Sequence, residues 1–73
     1  MTNSQELRVE MLRHNDTGGM LAKVLGIAHP TFSNKLNNKE GAEFTQREIS
    51  LIKDRYDLSS ERVDVIFFGK EVP

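Results

Sequence analysis

Gly18-Gly19-Met20-Leu21-Ala22-Lys23-Val24-Leu25-Gly26-Ile27-Ala28-His29-Pro30-Thr31-Phe32-Ser33-Asn34-Lys35-Leu36-Asn37 is the stretch that decides the fold. Met20, Leu21, Val24 and Leu25 recur at helical spacing and form one short apolar stripe, which Gly26 interrupts before Ile27 resumes it ahead of His29-Pro30. A glycine directly after a helix takes the left-handed conformation without a Cβ clash. A proline opens the following helix, where its missing N–H has no partner to lose. The spacing predicts two short helices, about Gly19 to Leu25 and Pro30 to Asn37, separated by a turn of about four residues. Asn37-Asn38-Lys39-Glu40-Gly41 is turn chemistry and ends the second.

Outward from this centre the helix starts are plain. Asn3 or Ser4, with Glu6 three residues after Asn3, caps a helix of about Ser4 to His14 that carries Leu7, Met11 and Leu12 on one stripe. Thr45-Gln46-Arg47-Glu48 is a capping box. Ile49, Ile52 and Tyr56 follow it on one face of a helix ending near Asp57. Ser59 or Ser60 opens a last helix, about 60–68, with Glu61 in its first turn and Gly69 as its stop. Val63, Ile66 and Phe67 point one way, and Val65 and Phe68 widen that stripe beyond the needs of a short chain. Val63-Asp64-Val65-Ile66 passes for a strand only in isolation, since no segment alternates with period two over a useful length. Five helices and no sheet are expected.

The 73 residues leave room for one domain with one small core, which excludes a two-domain enzyme with a cleft between its halves. With 37 % hydrophobic residues and five glycines the chain has the composition of a folding domain. It has no cysteine, so no disulfide framework or thiolate zinc site can support the core. No apolar run approaches the roughly 20 residues of a membrane span, and Met1-Thr2-Asn3-Ser4-Gln5-Glu6 has no signal-peptide layout. The expectation is a soluble cytoplasmic protein. The net charge of −1 argues mildly against nucleic acid, yet from Thr17 to Lys39 the only charged side chains are Lys23, Lys35 and Lys39. From Gly41 onward seven acids outnumber five bases. One segment is thus suited to face an anion while the remainder keeps the molecule soluble.

A helix, a tight glycine-containing turn and a second helix with polar outward residues make a helix-turn-helix, here about 17–38. Ala22 supplies the small residue at the helix crossing, Gly26 the turn, and Leu21, Ile27 and Phe32 the apolar flanks. Leu21-Ala22-Lys23-Val24-Leu25-Gly26-Ile27 followed by Thr31-Phe32-Ser33 resembles the Cro- and repressor-type helix-turn-helix domains of temperate phages and their chromosomal relatives. Asn34-Lys35-Leu36-Asn37-Asn38-Lys39 and Glu43-Phe44-Thr45-Gln46-Arg47-Glu48-Ile49 look like a prophage-encoded subgroup of short regulators. The resemblance covers about Gln5 to Phe68. It implies an all-α, five-helix, lambda-repressor-like bundle that docks as a dimer on double-stranded operator DNA, its helix after the turn in the major groove. Two features depart from the pattern. Gly18-Gly19 stands where many relatives have glutamine and acidic residues, which predicts a loose first helical turn. Lys35 stands where relatives often bury an aliphatic residue, which leaves Leu36 as the inward group.

With Phe32 and Leu36 facing the core, Pro30, Ser33, Asn34 and Asn37 lie on or near the opposite face, with His29 at its leading end. Asparagine pairs bidentately with adenine, serine and histidine reach base edges, and a proline ring meets a thymine methyl, so these five are the candidate base contacts. On an arbitrary surface helix the same residues would simply be solvated. Thr17 and Gly18, at a helix N-terminus, and Lys35, Asn38 and Lys39 are the candidate phosphate contacts. Lys23 reads as exposed only, His14 as a complement to the first helix's dipole, and Phe44, Tyr56 and Phe67 as core. Val65 and Phe68 are the candidate dimer interface; the alternative for Phe68 is a lid on the monomer's own core.

Catalysis finds no support. Two histidines fifteen positions apart, without cysteine or HExxH spacing, make no metal site, and no GxGxxG or GxxxxGKS phosphate loop occurs. No cofactor and no small-molecule substrate are expected. Two functional classes remain: a sequence-specific DNA-binding transcriptional regulator, and a protein-interaction module, such as an antirepressor, that keeps the fold without binding DNA.

Overall fold

In the computed structural model, which describes residues 1–70, four of the five helices begin where a side chain replaces the bonds that a first helical turn lacks. Asn3 Oδ1 accepts from the Glu6 amide at 3.1 Å and opens α1, Ser4–Arg13. Thr17 Oγ1 accepts from the Met20 amide at 3.1 Å and opens α2, Gly18–Leu25. In α4, Gln46–Tyr56, the capping box is complete: Thr45 Oγ1 accepts from the Glu48 amide at 3.2 Å, and Glu48 Oε1 accepts from the Thr45 amide at 2.9 Å. Ser59 Oγ accepts from the Arg62 amide at 3.1 Å and opens α5, Ser60–Phe67. The exception is α3, His29–Leu36, preceded by Ala28 and carrying Pro30 in its first turn, where the absent N–H costs nothing.

Five α-helices and no strand are present among the described residues, as the periodicity and caps predict, with boundaries within one residue of those expected. The turn after α3 holds a short 3-10 segment, Lys39–Gly41. No helix among the described residues is long and apolar enough to cross a membrane.

Every helix gives the core at least one side chain that is no more than 1 % exposed: Leu7, Leu21, Phe32, Ile52 and Ile66. Phe44, from the loop before α4, packs α3 against α5. Its ring lies 5.8 Å from Phe32 in a tilted arrangement and 5.8 Å from Phe67 edge to face. Phe44, Tyr56 and Phe67 are therefore core, as expected.

Val65 corrects an expectation. It is 5 % exposed, not surplus surface, because α5 packs against α1 and α4 at once while Asn3 N–H donates to Ile66 O at 2.6 Å along the helix. Of the two residues assigned to an interface, only Phe68 is exposed, at 54 %. Arg62 ties α5 to α1, donating to Glu10 at 2.6 Å and to Glu6 at 2.7 Å. Burial works against its charge, but the two carboxylates outweigh burial and raise its pKa. The segment before α1 is held as firmly. Thr2 N–H donates to Asn38 Oδ1 at 2.9 Å, Asn38 Nδ2 donates to Thr2 O at 2.8 Å, and Ser4 Oγ donates to Leu36 O at 2.6 Å.

Candidate nucleic-acid interface

α2 and α3 are joined by Gly26, Ile27 and Ala28 alone. Gly26 has φ +73°, and the amides of Gly26 and Ile27 bond back to Lys23 and Ala22 at 3.1 Å each, so the chain reverses within three residues. Phe32, 1 % exposed, and Leu36 anchor α3 to the core. With 100° between successive residues, Asn34 stands 160° away from both anchors. It is exposed and has no side-chain partner among the described residues. His29, Pro30 and Asn37 are exposed as well, and Ser33 is half-buried, its hydroxyl unpaired among the described residues. Thr31 is also exposed on this face; it was not among the expected base contacts, although its position one residue before buried Phe32 marks it.

The remaining candidates divide by what already holds them. Asn37 Oδ1 accepts from Arg8 Nη2 at 2.9 Å and its Nδ2 donates to Ser33 O at 2.9 Å. Asn38 adopts a left-handed conformation, and its amide is engaged with Thr2 on both sides. Thr17 caps α2 and leaves the Gly18 amide without an intrahelical partner. Lys39 is exposed and unpaired among the described residues. Lys35 corrects the expectation of a free cation. Its Nζ is 2.7 Å from Glu48 Oε1, with side-chain exposures of 17 % and 4 %. Because α3 turns Leu36 fully inward, the neighbouring position lies at the edge of the core, and the lysine there reaches across to the start of α4.

Burial alone would raise the Glu48 carboxyl, but the Lys35 hydrogen bond, the Thr45 amide and the Lys35 charge together hold it below its ordinary value. Two arginines that sequence spacing does not single out come to the α2–α3 pair from outside it. Arg8 of α1 meets Asn37 at the end of α3, and Arg47 of α4 donates to Leu25 O at 3.3 Å beside the turn. Both arginines are exposed beside the α2–α3 pair.

A second polar cluster fixes the approach to α2. Asp16, its side chain 1 % exposed, accepts from Arg55 Nε at 2.6 Å, Arg55 Nη2 at 2.7 Å and Tyr56 Oη at 2.6 Å. The Arg55 hydrogen bond holds its carboxyl low against the opposing effect of burial, and Tyr56 adds to this. Burial and the Asp16 contact raise the Tyr56 phenol far above its usual range. His14 stacks on Tyr56 with centroids 4.5 Å apart and donates from Nδ1 to the Glu10 carbonyl at 2.8 Å, which satisfies the end of α1. The residue before the α2 cap is therefore locked to α4.

Beside α5, Met1, Phe44, Ile49, Phe67 and Phe68 line a groove of about 560 Å³, with Glu43 bound to the Met1 ammonium at 2.9 Å on its rim. Leu12, Met20 and Val24 are exposed elsewhere. Among the described residues no group of three or more histidine, cysteine or acidic side chains could hold a metal. The chain matches no known family, curated protein or solved structure.

Proposed function

We propose that the chain is a sequence-specific DNA-binding transcriptional regulator of the Cro and repressor type, with α2, the Gly26 turn and α3 acting as a helix-turn-helix. The observation that carries this is the outer face of α3, where Asn34 stands exposed and unpartnered opposite the buried Phe32 and Leu36. A carboxamide offers donor and acceptor in one plane, the pattern that adenine presents in the major groove. His29, Pro30, Thr31 and Ser33 extend the face along the groove. Lys39, the Gly18 amide, Arg8 and Arg47 provide phosphate contacts that set the register of docking. One helix of eight residues reads too few base pairs to select an operator, so two copies act on a palindrome. They pair through Phe68, which enters the groove beside α5 of the other copy.

Selection of bound duplexes from a random-sequence library tests the reading. Enrichment of a palindromic motif with half-sites roughly 10 base pairs apart supports it. A bound pool indistinguishable from the starting library refutes it.

A second reading is a protein-interaction module that keeps the fold without binding DNA. The exposed Leu12, Met20, Val24 and Phe68, together with the neutralisation of Lys35, favour it. An unenriched library would leave this reading standing.

A further inference from the structure

Gly18 opens α2, and the space that a Cβ would take there is already filled. An ideal Cβ on Gly18 lies 2.9 Å from Nε2 of His29, closer than real Cβ atoms approach any neighbour, and 3.4 Å from Cε2 of Phe32. Backbone conformation does not demand this glycine, because the glycines with positive φ are Gly26, Gly41 and Gly69. Gly19 beside it is open, its nearest neighbour being Thr17 Oγ1 at 3.9 Å. Of the two adjacent glycines, only Gly18 makes room for another side chain. His29, the first residue of α3, is exposed and makes no side-chain hydrogen bond among the described residues. What directs its ring is packing across the bare Cα of Gly18.

We infer that Gly18 is a specificity-determining position that acts through His29. The missing side chain forms a notch that seats the imidazole at the leading end of α3, so the residue governs which base pair is preferred without touching a base. The inference rests on the DNA-binding reading above. A seated ring meets its base pair with less rotamer freedom left to lose than a free one. A methyl group at position 18 removes the seat. The atom it strikes first is the far end of an exposed side chain, which relieves the contact by swinging out, whereas the ring edge of Phe32 stays in ordinary packing reach. Alanine is also the better helix former, so the substitution leaves the fold intact.

The experiment uses the full chain as wild type, Gly18→Ala, Gly19→Ala, His29→Ala and the Gly18→Ala/His29→Ala double variant. Each is passed through the random-duplex selection, and free wild type and Gly18→Ala are compared for the nuclear Overhauser effect between the His29 ring and the α protons of residue 18. Gly18→Ala is expected to melt no lower than wild type, to lose that contact, and to reduce discrimination on the order of tenfold at the same base pair as His29→Ala. Adding Gly18→Ala to His29→Ala changes nothing more, and Gly19→Ala selects the wild-type motif. If wild type selects a motif and Gly18→Ala selects the same one, the inference fails while the functional reading stands. Unfolding of Gly18→Ala also overturns it, since the methyl would then be meeting the core and not a ring free to leave. If wild type selects no motif, the functional reading fails and the specificity role falls with it.

Discussion

Lys35 Nζ and Glu48 Oε1 stand 2.7 Å apart across the contact between α3 and α4, and Glu48 Oε1 also accepts from the Thr45 amide at 2.9 Å. One carboxylate oxygen therefore caps a helix and braces its neighbour. The same charge joins Lys35 of α3 to the first turn of α4.

That charge makes stability pH-dependent. Glu48 and Asp16 both have folded pKa values below their ordinary ones. A carboxyl with a depressed folded pKa contributes fully above its unfolded value, and the contribution is lost as pH falls through the folded value. Thermal melts should be level from neutral pH to about pH 5 and fall below about pH 4. Glu48→Gln should lower stability at pH 7 by roughly 1.5–3 kcal/mol, the worth of hydrogen bonds to a charged group, and weaken the acid transition. An acid transition unchanged in that variant would contradict this account.

Salt separates the two lysines of the α3 region. A handful of phosphate contacts per dimer predicts a log–log salt slope of roughly −4 to −6 for binding to the selected duplex. Lys39→Ala, removing one exposed cation per copy, should flatten that slope by about 2 and weaken all sequences alike. Lys35→Met should leave the slope unchanged and lower the melting temperature, because its partner is Glu48. Fluorescence anisotropy over a salt series, paired with melts, checks both.

Readout and packing separate in the same way. Asn34→Ala should cost about 1–3 kcal/mol on the selected duplex with stability nearly unchanged. Phe32→Ala, at a residue 1 % exposed, should lower stability by roughly 3–5 kcal/mol. Urea denaturation alongside binding isotherms distinguishes them, and a reversal of the two effects would mean that α3 presents a different face.

Phe68→Ser should keep the melting temperature and abolish dimers on the palindrome, because the side chain is 54 % exposed and its removal leaves the core intact. Sedimentation with and without duplex measures this. A large loss of stability would instead make Phe68 a lid on its own core.

Three helix starts were legible because capping is local: Asn3, Thr45 and Ser59 each act within three residues of themselves, whereas α2 was placed by its apolar stripe and its Thr17 cap emerges only in the structure. The inward side of α3 was legible too, since Phe32 and Leu36 are one helical turn apart. Polar pairs left no such trace. Lys35 and Glu48 are thirteen positions apart and Asp16 and Arg55 thirty-nine, and nothing periodic links them. Asp16 reads as a loop residue until α4 is placed beside it. Val65 departs from its expected place because a stripe shows how apolar a helix is and not what surrounds it. Among the left-handed residues, Asn15, Asn38 and Asp57 follow helix ends and have side chains that favour that conformation, whereas Glu40, inside the 3-10 segment, has none that does.

Thr2, Asn3 and Ser4 bond in succession to Asn38, Ile66 and Leu36. Terminal residues commonly open and close independently of the body of a protein. Here three consecutive residues knot the ends of α3 and α5 together, so lifting them releases a helix end on each side. Opening at this edge is thus joined to the unlocking of both helices, and the Thr2 and Asn3 amides should exchange with the interior and not with the fraying fringe.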